Sequence, residues 1–156
     1  MSKIKVAFQG ELGAYSHIAV NEVFKNAEIK TCSTFEETFK VAFEDESYKI
    51  IIPLENSLAG RVADIHYLLP KYKLQIHGEH FQTVEHNLLA KPESEMKDIR
   101  FVRSHAQAIG QCQKIIMDNK YKTIVSADTA GSAKDLADGK DKSIAAIASK
   151  LSLIHI

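Results

Sequence analysis

Four short segments of this chain gather hydroxyl, amide and glycine residues where an apolar run gives way to a helical pattern: residues 10–16, 55–60, 104–111 and 128–132. At such a junction a helix start presents unpaired N–H groups and a partial positive charge, which can hold a carboxylate or phosphate without a Lys or Arg. Several such starts converging would suit a small polyanion. Ser104, His105, Gln107 and Gln111 bring a hydroxyl, an imidazole able to donate a proton and two amides into one block, and Glu55, Asn56 and Ser57 form a second polar group. Each feature also has a purely structural use. Ser104 and Asp128 are ordinary helix N-caps by type, Gly10-x-x-Gly13 serves any turn that needs positive φ or close packing, and a single histidine is more often structural than catalytic. Nucleophilic catalysis is not indicated, because a hydroxyl needs a base and an orienting group in contact with it.

The elements that would position these residues follow from apolar periodicity. Residues 4–8 read as a buried strand entering a glycine turn, Ile18, Ala19, Val23 and Phe24 as a helix, and 28–32 as a second strand. Ser33 or Thr34, with Glu36 or Glu37 three residues on, makes a capping box for a helix whose apolar face is Phe35, Phe39, Val41, Ala42 and Phe43, a core set rather than a cofactor box. The β-branched run 50–52 stops at Pro53 and delivers Glu55-Asn56-Ser57 into a loop. A helical stretch at 62–69 and an extended segment at 74–90 come next. Alternation then resumes with strand 100–103, helix 106–118, strand 123–126, helix 130–137 and strand 143–147. Strand–helix alternation of this kind predicts an α/β fold with parallel sheets, whose ligands bind beyond the carboxyl ends of the strands.

Composition excludes several functions. Twenty Lys+Arg balance twenty Asp+Glu, leaving no basic surface for nucleic acid. No apolar run approaches the ~20 residues that span a bilayer, and no secretory leader pattern opens the chain, so a cytoplasmic location without membrane attachment is expected. Cys32 and Cys112 are unpaired by spacing and read as structural thiols. His77, His80 and His86 lack the spacing and the added ligands of a metal centre, and neither the phosphate-loop nor the dinucleotide glycine pattern occurs.

Taken in order, the blocks resemble prephenate dehydratase. Phe8-Gln9-Gly10-Glu11-Leu12-Gly13-Ala14-Tyr15-Ser16 is similar to that family's glycine-rich start, Pro53-Leu54-Glu55-Asn56-Ser57 to its Pro-Ile-Glu-Asn-Ser block, and Ser104-His105-Ala106-Gln107 through Gln111-Cys112 to its Ser-His-Pro-Gln…Gln-Cys block. Asp128-Thr129-Ala130-Gly131-Ser132 and the strand Ala145-Ala146-Ile147-Ala148 resemble the later helix and strand. Glu11 and Ala106 stand where many members carry proline, which changes loop stiffness more than chemistry.

The resemblance implies two α/β lobes like those of periplasmic binding proteins of type II, here residues 1–78 and 79–156, with a substrate cleft between them. It implies conversion of prephenate to phenylpyruvate in phenylalanine biosynthesis, with no metal or cofactor and with a homodimer in the full-length protein. Asn56, Ser104, Gln111 and His105 are the catalytic candidates it implies, with Glu55, Ser57, Gln107 and Thr129 lining the substrate site. Arogenate dehydratase is the alternative within the same chemistry, and a non-catalytic module binding small anions is the alternative outside it. The family continues into an Asn-x-Thr-Arg-Phe motif and often into a phenylalanine-binding regulatory domain. Neither occurs in these 156 residues, so a truncated domain with exposed apolar surface on the first lobe is expected.

Overall fold

In a computed structural model, which describes residues 3–58 and 60–155, the chain divides into two compact units. The first comprises residues 1–11 and 15–83, the second residues 12–14 and 84–156.

The first unit is built on a three-stranded parallel sheet in the order β2-β1-β3, with β1 Lys5–Gln9, β2 Glu28–Cys32 and β3 Tyr48–Ile51. Val6, Ala7 and Phe8 are consecutive and all wholly buried. Such burial without alternation marks a central strand covered on both faces. Helix α1, Tyr15–Val23, joins β1 to β2, and α2, Phe35–Glu44, joins β2 to β3. Thr34 caps α2 through its Oγ1, which accepts from Glu37 N at 3.1 Å, while Glu37 reaches back to Ser33. Thr34 is thus the cap, while the return bond from Glu37 goes one residue further back, to Ser33, rather than to the N–H of Thr34 as a capping box would have it.

Phe39 of α2 packs with Ile65 and Leu68 of α3, Ala63–Tyr72, and each of these buried side chains contributes about 1.5–3 kcal/mol. Phe43 departs from the expected core set, being 61% exposed. Residues four apart on a helix drift steadily around its axis, so the Phe35–Phe39 row has turned outward by Phe43. The Phe43 ring meets Tyr72 edge-to-face, with 5.6 Å between the ring centres. Between β3 and α3, β4 (Glu55–Asn56) and β5 (Gly60–Arg61) form a small antiparallel hairpin where a loop was expected.

Residues 74–86 form no regular element, and Ile76 and Phe81 are exposed there. His80 fastens the segment through Nε2, 2.9 Å from Glu22.

The second unit holds a four-stranded sheet in the order β6-β9-β7-β8: β6 Asn87–Leu89, β7 Phe101–His105, β8 Lys122–Ser126 and β9 Ile144–Ala148. Strands β7, β8 and β9 run parallel, and β6 pairs antiparallel with β9. Ala145, Ala146, Ile147 and Ala148 are buried in succession, so β9 is central like β1. The helix expected over 106–118 is two pieces, α4 Ala106–Gln111 and α5 Gln113–Asp118. Cys112 breaks it, its N–H shared between the carbonyls of Ala108 and Ile109. Helix α6, Thr129–Asp138, covers β9, and a short α7, Ser152–His155, follows.

Candidate active site

In the second unit most of the polar residues singled out above collect at the carboxyl ends of β7 and β8 and at the helix starts that follow. Ser104 is fully buried, and its hydroxyl donates to the carbonyl of Ile147 on the neighbouring β9 at 2.6 Å. A serine has a single proton to give, so Ser104 offers any ligand only acceptor lone pairs. His105, one residue on and half-buried, lies opposite Ser126 of β8 and caps α4. Its Nδ1 accepts from Gln107 N at 3.4 Å. The neutral ring therefore carries its proton on Nε2, the nitrogen turned away from the helix start. Gln107 is exposed in the first turn of α4, and Gln111 closes that helix with its Oε1 2.7 Å from His86 Nε2.

Thr129 opens α6, directly after a strong cap. Asp128 Oδ1 accepts from Gly131 N at 2.6 Å, and Ser132 Oγ donates to the Asp128 carbonyl at 2.7 Å. Ser132 also meets Ser126 Oγ at 2.7 Å, which ties the start of α6 to the end of β8. The glycine turn at residues 12–14 belongs to this unit too. Gly13 has φ +93°, and its carbonyl accepts from Ser149 Oγ at 2.5 Å and from Ser152 Oγ at 3.3 Å. A side chain at Gly13 would meet Ser152 Cα at 2.9 Å, so this glycine serves both the backbone conformation and the close approach.

The first unit holds the other group. Asn56 is half-buried on β4 and folds its Oδ1 back onto Leu58 N at 2.9 Å, shaping the hairpin turn. Glu55 lies opposite Arg61 across the hairpin, and Ser57 is exposed at the turn. Residue 59, the last of that loop before Gly60, lies outside the described residues.

The two thiols are not set up for chemistry: burial pushes both Cys32 and Cys112 above the ordinary 9.0. Among the described residues no group of three or more His, Cys, Asp or Glu side chains is placed to hold a metal ion, and no helix is long and apolar enough to cross a membrane. Pattern reading overlooked His86 as a partner of Gln111, Ser149 as a partner of Gly13, and the pairing of Ser132, in a segment it had singled out, with Ser126. Hydrogen bonds spanning 25 to 136 residues of sequence leave no local signal, although a serine next to the end of a buried strand, as at Ser149, is a usable hint.

A family profile described as prephenate dehydratase matches residues 6–155. The chain belongs to the prephenate dehydratase family. Among relatives of the family, a bifunctional N-acyl-homoserine lactone acylase/prephenate dehydratase of Komagataeibacter europaeus is 40% identical over 146 residues, covering 94% of this chain and 52% of that protein. Arogenate dehydratase/prephenate dehydratase 2 of Arabidopsis thaliana, a chloroplastic protein, is 35% identical over 149 residues, which is 96% of this chain and 39% of that one. Among solved structures, one described as a novel type of quorum quenching acylase superposes with a TM-score of 0.88 at 39% identity, covering 97% of this chain and 55% of that one. The prephenate dehydratase of Staphylococcus aureus superposes with a TM-score of 0.81 at 23% identity, over 97% of this chain and 56% of that one, a likeness of fold. This chain thus spans about half the length, or less, of the relatives it matches. Its α/β fold is the periplasmic-binding-protein-like type II fold of the prephenate dehydratases.

Proposed function

We propose that this chain carries prephenate dehydratase chemistry: prephenate loses its ring carboxylate as carbon dioxide and its ring hydroxyl as water, giving phenylpyruvate on the route to phenylalanine. The observation that carries this reading is the family match across residues 6–155. Aromatisation drives the reaction, so the protein has only to orient a dianion and assist departure of the hydroxyl, which is positioning plus general-acid work without metal or cofactor. His105 is the candidate acid within these residues: its charged imidazolium form would give up a proton and return to the neutral ring, whose Nδ1 accepts from Gln107 N. Asn56, Ser104 and Gln111 orient the substrate with it, and Glu55, Ser57, Gln107 and Thr129 line its site. A cytoplasmic protein, homodimeric at full length and without nucleic-acid or membrane partners, completes the reading.

Arogenate, the amino-acid form of the substrate, is the second reading, favoured by the plant arogenate dehydratases among the relatives. Phenylpyruvate formed from prephenate at neutral pH, followed by its ultraviolet absorbance in alkali, tests the first reading, and phenylalanine formed from arogenate tests the second. Running a longer form with the Thr-Arg-Phe segment in parallel separates an acid within these residues from one beyond them. Binding of prephenate without turnover by either form would replace the enzyme with an anion-binding module. The name of the Komagataeibacter relative adds one control, release of homoserine lactone from an N-acyl-homoserine lactone.

A further inference from the structure

Gln111 ends helix α4 with its side chain exposed, and the partner of its amide lies outside that helix. That partner is His86. Gln111 Oε1 lies 2.7 Å from His86 Nε2, and an amide oxygen can only accept. The imidazole therefore carries a proton on Nε2 whether the ring is neutral or charged. With its oxygen held against the ring, the Gln111 amide turns its NH2 to the other side, and that group can only donate.

The two partners stand on different supports. His86 is half-buried and immediately precedes β6, whose Asn87, Leu88 and Leu89 lie opposite Ala148, Ile147 and Ala146 of the buried central strand β9. Gln111 stands at the break between α4 and α5. The sheet thus supplies the fixed end of the contact and the helix terminus the adjustable one. An amide rotated by half a turn would offer an oxygen to an incoming anion and repel it, so the proton on His86 sets the sign of the interaction.

We propose that His86 is a positioning residue: it holds the Gln111 amide as a hydrogen-bond donor toward an anionic oxygen of the substrate. The proposal rests on the reading above that Gln111 touches prephenate. It gives His86 a role that the histidine spacing alone, read as a metal pattern, did not suggest.

Two measurements on the full chain decide it. Nitrogen-15 NMR of the imidazole should show a proton on Nε2 of His86; an Nδ1–H ring in the unaltered chain would overturn the proposal. For turnover, His86→Phe keeps the ring shape and removes the proton, while His86→Gln restores a donor. His86→Phe should lower kcat/KM for prephenate about tenfold, chiefly through KM, His86→Gln should recover most of the loss, and His86→Phe placed in Gln111→Ala should cost nothing more. Loss in Gln111→Ala with full activity in His86→Phe would sink the positioning role alone. Full activity in Gln111→Ala would instead sink the role of Gln111, a distinct result. If the chain binds prephenate without turnover, the Gln111 side-chain NH2 resonances should shift on binding in the unaltered chain and stay in place in His86→Phe; a shift equal in both overturns the proposal.

Discussion

The hydroxyl of Ser104, itself fully buried, donates to the carbonyl of Ile147 at 2.6 Å, tying the carboxyl end of β7 to β9. The residue that local pattern suggests for substrate contact thus also has a fixed structural duty. Removing the hydroxyl leaves a buried carbonyl without that donor, which costs about 1–2 kcal/mol. Ser104→Ala should lower the urea midpoint of unfolding accordingly and loosen the His105 cap next to it. Measuring stability and prephenate turnover on the same variant separates the two duties, because activity that survives under strongly native conditions would assign Ser104 to the sheet alone.

Gly13 combines φ +93° with an approach of 2.9 Å between the position of an added Cβ and Ser152 Cα. Alanine there meets both a left-handed backbone penalty of about 1–2 kcal/mol and an overpacking cost of about 1–3 kcal/mol. Gly13→Ala should therefore destabilise the second unit far more than Gly60→Ala, whose φ is also positive but whose added Cβ meets nothing. Hydrogen exchange at the amides of β9, compared between the two variants, reads the difference directly; equal protection in both would refute the close-approach argument.

Asp128 closes the first turn of α6 by accepting from Gly131 N. Truncation to alanine removes that partner and should cost about 1 kcal/mol, with Asp128→Asn or Asp128→Ser retaining most of it. Because Thr129 opens the same turn, prephenate affinity should fall in Asp128→Ala and recover in the two capping variants, as isothermal titration calorimetry would show.

How much of this was readable in advance depended on the range of the interaction. Strands β1, β2, β3, β7 and β9 are short apolar or β-branched runs bounded by turn residues, and α2 carries a capping signal within four residues, so each declares itself locally. The β4–β5 hairpin has two residues on each side, too few to display a period. The break at Cys112 lies in a sequence that is helical by propensity on both sides, and only the shared N–H reveals it. For the candidate site, the block at residues 104–111 was visible as a block, while the direction of each proton was not. The Ser104–Ile147, His86–Gln111 and Ser149–Gly13 contacts join residues 43, 25 and 136 positions apart, and only the folded sheet brings them together.

The contact between Glu37 and Ser33 at the start of α2 makes a pH dependence that can be signed. Glu37 Oε2 accepts from Ser33 Oγ at 2.6 Å and from Ser33 N at 2.8 Å. These bonds, the hydroxyl first, hold the Glu37 carboxyl below its ordinary 4.5. A carboxyl whose folded value is depressed stabilises the fold fully above the unfolded value and loses that contribution as pH falls through the folded one. The contribution of Glu37 is therefore complete above about pH 4.5 and fades below it. Glu37→Gln can still accept from Ser33 but carries no charge to lose, so its urea midpoint should sit below that of the unaltered chain at pH 7 and converge with it in acid. Two parallel curves down to pH 3 would show that the contact, and not its ionisation, is what steadies the start of α2.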